Sequence, residues 1–198
     1  MLAAITGNIG SGKTTFARIL ERLGHGVFYA DEFVSRLYNE KKILSKVRGS
    51  FGHAVFRGGS VDRKILAEKA FSSAQSLAML NRIIHPRVKA KLKALRRASL
   101  GQVAFAELPV LFESGMEGLF DKTILVKCGE ETAMRRAAKK GFSEREFRKR
   151  SMFQMPPGAL AKRADFMVDS DCPISALKAR AEEISTELSG IHAGKRNQ

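Results

Sequence analysis

Residues 7–14, Gly7-Asn8-Ile9-Gly10-Ser11-Gly12-Lys13-Thr14, fit the pattern G-x-x-x-x-G-K-[ST] between an apolar run at 2–6 and a helical stretch from Thr14 to Leu23. That context leaves few folds open. Glycines at these offsets let successive backbone N–H groups turn inward on phosphate oxygens, at a helix N-terminus that already favours anions. In such a loop Lys13 reaches the β- and γ-phosphates of a nucleoside triphosphate, and Thr14 offers its hydroxyl to Mg²⁺.

The rest of the chain repeats the pattern of short apolar strand and helix. Strands are expected at 27–29, 103–106, 123–126 and 166–168, beside the one at 2–6. Residues 32–100 read as mostly helical: Ser60 and Asp62 offer caps for a helix to Phe71, then come 76–84 and 88–100, broken at His85-Pro86. Helices follow at 130–140, from a capping box at Ser143-Glu144-Arg145-Glu146 to about Gln154, and at 174–188, and the tail 191–198 is expected to fray. Alternation of this kind predicts an α/β fold, a parallel sheet covered on both faces, in one domain over 1–190. Ligands then gather at the carboxyl ends of the strands, where the glycine-rich loop, Asp31 and Glu107 fall.

Two cysteines, Cys128 and Cys172, make neither a disulfide framework nor a metal pattern. The opening Met1–Thr6 run is too short for a secretory signal, and no apolar run reaches the ~20 residues that span a bilayer. The expectation is a soluble, cytoplasmic protein. Its 35 Lys and Arg against 20 Asp and Glu leave +15, a balance suited to polyanionic partners or, equally, to a solvated basic surface.

Asp31, at the mouth of the second strand, is either a base for an attacking hydroxyl or the N-cap of the helix that follows. Glu107 stands where P-loop enzymes keep a Mg²⁺-associated carboxylate, or else makes a rim salt bridge. His85 has no chemical partner evident in sequence. The basic run Arg135, Arg136, Lys139, Lys140, Arg145, Arg148, Lys149 and Arg150 is either a solvated face or a lid that closes on triphosphate and excludes water.

With these residues in place, the chain resembles the dephospho-CoA kinase family over about residues 1–188. Thr6-Gly7-Asn8-Ile9-Gly10-Ser11-Gly12-Lys13-Thr14-Thr15 is close to the family's TGGIGSGKST. Tyr29-Ala30-Asp31 stands at its Asp-Ala-Asp, and Phe51-Gly52 with Val61-Asp62-Arg63-Lys64-Ile65-Leu66 is similar to its FG…LDRxxL. Asn81-Arg82-Ile83-Ile84-His85-Pro86 is similar to NxIxHP, and Pro109-Val110-Leu111-Phe112-Glu113 to PLLFE. Arg150-Ser151-Met152-Phe153-Gln154 fits RxxxQ, and Ala164-Asp165-Phe166-Met167-Val168 fits ADxVI. The glycine-rich loop alone is shared by a very large superfamily; the later motifs, in this order, are far more specific.

The resemblance implies a three-layer P-loop kinase with a five-stranded parallel sheet, an acceptor-binding helical region at about 32–100 and a helical lid at about 130–154. It implies ATP and Mg²⁺, 3′-dephospho-CoA as acceptor, a monomer, and no need of nucleic acid or membrane. Gly7 through Thr15 bind the nucleotide, Thr14 the metal; Lys13, Asp31 and Lys139 are the catalytic set; Arg63, His85 and Glu107 bind substrate. Three departures stand out. Tyr29 replaces the first acid of Asp-Ala-Asp, leaving Asp31 as the only candidate base there. Lys139 stands where the lid motif has Arg, four residues after Arg135, although any of Arg135, Arg136 and Lys139 has the charge to meet the γ-phosphate. Ser170 replaces an Asn. The alternatives are another nucleoside or nucleoside monophosphate kinase, and an RNA-associated NTPase switch, against which no N-K-x-D motif and no aromatic platform occur.

Overall fold

A computed structural model of the protein describes residues 1–99 and 101–194. In chain order the elements are β1 (Leu2–Thr6), α1 (Lys13–Arg22), β2 (Gly26–Tyr29), α2 (Ala30–Leu37), α3 (Lys41–Phe51), β3 (Phe56–Arg57), β4 (Ser60–Val61), α4 (Arg63–Ala70) and α5 (Ala74–Ala98). They continue with β5 (Ala104–Glu107), β6 (Lys122–Lys127), α6 (Glu130–Lys139), α7 (Glu144–Ser151), α8 (Pro157–Ala161), β7 (Phe166–Asp169) and α9 (Ile174–Gly194). They divide into two compact units, one of Met1–Tyr29 with the residues from Lys93 onward, the other of Ala30–Leu92.

The first unit holds a five-stranded, all-parallel sheet in the order β2-β5-β1-β6-β7. Every residue of β1 is buried, as a central strand covered on both faces requires. On one face Ala3, Ile5, Phe105, Ile124, Val126 and Val168 meet Phe16 and Leu20 of α1 and Leu177, Ile184 and Leu188 of α9. The register sets Glu107 beside Ile5 and beside Tyr29, so one carboxylate and the strand leading into the loop share the carboxyl edge. Ser170 prolongs the ladder by donating its N–H to the Lys127 carbonyl at 2.9 Å.

The second unit is α2, α3, the hairpin β3–β4, α4 and α5 as far as Leu92. Asp62 caps α4 by accepting the N–H groups of Lys64 and Ile65, whereas Ser60 belongs to β4. The hairpin was not foreseen; its signal is Gly58-Gly59, both at positive φ (54° and 82°), the pair a two-residue turn demands.

The expected break at His85-Pro86 is corrected: α5 is one helix with Pro86 inside it. Ile84, Val88 and Leu92 recur at four-residue spacing and are buried, so a single apolar stripe carries the helix past the missing N–H. The short α8 was also missed, and α9 runs through 191–194 where fraying was expected. Leu100 and residues 195–198 lie outside the described residues. Among the described residues, no helix is long and apolar enough to cross a membrane.

Candidate functional site

The loop after β1 is shaped by close packing from behind. A Cβ on Gly10 would sit 2.2 Å from the Ala133 carbonyl oxygen of α6, so no side chain fits there. Ile9 packs into an apolar cluster with Ala133, Ala137 and Phe147, which fastens the outer side of the loop to α6 and α7. The Ser143–Glu146 capping box is formed, opening α7 as expected.

Lys13 is buried at the start of α1, and its ammonium donates to the Asn8 carbonyl at 2.8 Å. The hydroxyl of Thr14 donates to the Glu107 carboxylate at 2.7 Å, joining the loop to the end of β5. Glu107 is only 8% exposed, so this contact occurs with little water around the carboxylate.

A second polar cluster sits beside Gly12. The Ser170 hydroxyl donates to the Ser11 carbonyl at 2.8 Å and accepts from the Arg136 guanidinium at 2.7 Å. Arg136 also donates to the Ser170 carbonyl at 2.8 Å, and Asp171 accepts the Gly129 N–H at 2.6 Å. Arg136, one of the basic run, is thus brought to the loop. Lys139 and Lys140 are exposed at the end of α6, Arg148 pairs with Glu144 at 2.8 Å, and Arg150 lies over the Phe142 ring at 4.7 Å. Sequence reasoning placed Lys139 in the catalytic set and held Arg135 and Arg136 as further candidates for the γ-phosphate; what sets Arg136 apart is its packing opposite Ser170.

Tyr29 is turned to α1: its hydroxyl donates to Glu21 at 3.2 Å, and Arg18 lies 5.9 Å from its ring centre. Burial, with Glu21 beside it, pushes the phenol up to about 12, so it stays protonated at neutral pH.

In the second unit Asp31 lies in the first turn of α2, which starts at Ala30, so the helix that the N-cap alternative had it open has already begun. Burial raises the Tyr38 phenol to about 12, with the charges of Arg63 and Asp31 acting on it in opposite directions, which puts those two residues near one phenol. His85 is half-buried, and burial together with Lys89 lowers its pKa, so its imidazole is neutral at pH 7.

The model of the dephospho-CoA kinase family (CoaE) matches residues 1–175. A dephospho-CoA kinase from Chlorobium luteolum is 34% identical over 197 residues, covering 94% of this chain and 90% of that one. The chain belongs to the dephospho-CoA kinase family. A crystal structure from Thermus thermophilus superposes with a TM-score of 0.80 at 34% identity, covering 95% of this chain and 97% of that one. A shikimate kinase from Acinetobacter baumannii shares the fold, with a TM-score of 0.54 at 14% identity over 98% of this chain and 94% of that one. Membership makes the protein an ATP-dependent phosphotransferase that acts on a hydroxyl group, on a P-loop kinase fold. The other kinase classes and the RNA-associated switch are not favoured.

Proposed function

We propose that this protein transfers the γ-phosphoryl group of ATP to the ribose 3′-hydroxyl of 3′-dephospho-CoA, giving CoA and ADP. The observation that carries the reading is the Lys13–Thr14–Glu107 arrangement in a chain that matches the family over residues 1–175. In the reaction the 3′-oxygen bonds to the γ-phosphorus, the bond to the β-bridging oxygen breaks, and ADP leaves with that electron pair. Asp31 takes the hydroxyl proton, while Arg63 and His85 bind the acceptor. Lys13 balances charge on the β- and γ-phosphates. The protein works as a cytoplasmic monomer and requires no nucleic acid.

Mg²⁺ fits the residues present. Among the described residues no group of three or more His, Cys, Asp or Glu could cage a metal. Mg²⁺ keeps waters and phosphate oxygens and needs few protein ligands, so the hydroxyl of Thr14 with Glu107 behind it suffices. The ion would neutralise charge on the β- and γ-phosphates. Glu107→Gln is expected to raise the Mg²⁺ concentration for half-maximal activity by about 10-fold or more, as loss of a ligand's supporting carboxylate does. Titration of activity with Mg²⁺ at saturating ATP checks it; an unchanged midpoint removes Glu107 from the metal's surroundings.

The decisive assay couples ADP release to a readout with ATP and Mg²⁺, comparing dephospho-CoA with adenosine, AMP, uridine and pantothenate derivatives. Turnover highest on any of the others overturns the acceptor assignment.

Arg136 and Lys139 supply a test of the lid. Arg136→Ala is expected to lower kcat by about 10²-fold, because a charge-assisted donor beside the loop is lost. If Lys139 meets the γ-phosphate on closure, Lys139→Ala lowers kcat and raises the ratio of ATP hydrolysis to transfer, and Lys139→Arg restores or improves it. Silence of both Lys139 variants beside an inactive Arg136→Ala makes the 139–140 pair a solvated face.

A further inference from the structure

The RxxxQ segment has no part in the chemistry above, yet its glutamine touches the phosphate loop. The Ile9 N–H donates to the side-chain oxygen of Gln154 at 2.8 Å, and the Asn8 side-chain amide donates to the Met155 carbonyl at 3.3 Å. Met155 is held in turn: its N–H donates to the Glu113 carboxylate at 2.7 Å. The Asn8 carbonyl on this same rim accepts the Lys13 ammonium at 2.8 Å. Three separate stretches of sequence, around 8–9, 113 and 154–155, therefore converge on the peptide that seats the lysine.

The geometry points to Gln154 as a positioning residue for phosphoryl transfer. With Glu113 it clamps the Asn8–Ile9 rim, and the rim fixes where the Lys13 ammonium sits. The argument is one of connectivity and tolerance. A lysine carries many rotamers, and this buried one rests on the Asn8 carbonyl at 2.8 Å, with the Ser11 hydroxyl at 3.5 Å; that carbonyl belongs to a loop residue whose side chain and following N–H are both held from 154–155. Releasing the rim lets the ammonium drift, and misplacement of a transition-state contact by about 1 Å costs on the order of 10²-fold in rate. Asn8 stands where the family motif has Gly, so its share of the clamp belongs to this chain. The inference rests on the proposed kinase reading for its kinetic arm only.

Two measurements test it. In the ¹⁵N-labelled full chain, Gln154→Ala is expected to speed exchange of the Ile9 amide by about 10-fold or more, the loss of one protecting hydrogen bond, while the amides of Ala4 and Ile5 keep their rates. In the coupled assay, Gln154→Ala is expected to lower kcat by about 10- to 100-fold with KM for ATP changed by less than about threefold. Glu113→Ala should follow it in direction, and Glu113→Gln, which keeps an oxygen for the Met155 N–H, should recover at least about a third of the lost rate. An Ile9 amide with unchanged exchange, or a Gln154→Ala kcat within twofold of the parent, overturns the clamp. A raised KM for ATP at constant kcat also overturns it, since it makes Gln154 a binding contact. If the parent protein fails to phosphorylate dephospho-CoA, the functional reading falls, and the Ile9 exchange still decides the clamp.

Discussion

Lys13→Ala is expected to lower transfer by about 10³-fold or more while leaving the sheet and its core intact. The ammonium is the residue's only charged group, and it lies inside the loop on the Asn8 carbonyl. Charge developing on the β- and γ-oxygens has no better-placed protein partner in this loop, and deleting one preorganised donor to developing charge alone costs roughly 10²–10³. Folding depends little on this group, because the apolar packing beneath α1 comes from Phe16, Ala17, Ile19 and Leu20. The checks are kcat in the ADP-coupled assay and the thermal melt followed by circular dichroism. Near-normal turnover in a protein that melts like its parent would remove the loop from the catalytic site.

Asp31→Asn is expected to lower kcat by about 10²–10⁴-fold, the range for a lost general base, with ATP affinity little changed. Asparagine keeps the shape and the hydrogen-bonding reach but cannot take the proton from the 3′-hydroxyl. The same substitution removes a negative charge from the first turn of α2, a stabilising contribution of only about 0.3–1 kcal/mol. The bond from the Ser35 hydroxyl goes to the Asp31 backbone carbonyl at 2.6 Å and survives the change. A small drop in melting temperature with a large drop in kcat is therefore the signature of a base. A large drop in stability with kcat preserved would make Asp31 a helix-stabilising acid.

The nucleotide half of the candidate site was legible because its chemistry is local: one loop, one strand before it and one helix after it fix Lys13 and Thr14 within eight residues. Glu107 was legible for a different reason, since a parallel sheet puts strand ends side by side and the register sets it next to β1. What stayed hidden depends on side chains meeting across the chain. Arg136 could not be told from Arg135 or Lys139 until Ser170, 34 residues on, was placed against it. Gln154 appeared as a motif letter whose partner, an Ile9 backbone N–H, leaves no trace in residue type. Pro86 misled because a proline is a local signal, and the buried stripe of α5 overrode it. Tyr29 was read as a missing carboxylate; its contacts show a ring fastened to Arg18 and Glu21 of α1.

The position of β1 has a consequence for how the chain is made. Leu2 pairs with Ala104 on one side and Ala3 with Lys122 on the other, so the central strand has no sheet neighbour until more than half the chain exists. At ribosomal rates of about 5–20 residues per second, that wait lasts roughly 5–20 s, during which a largely apolar strand lacks both of its sheet neighbours. Long-range parallel pairing of this kind folds slowly and offers an open strand edge to other chains meanwhile. Yield of active protein should accordingly rise when chaperones that shield apolar nascent segments are abundant. Substitutions that slow completion of β5 or β6 should show their cost first as inclusion bodies, before any loss of turnover in the molecules that do fold.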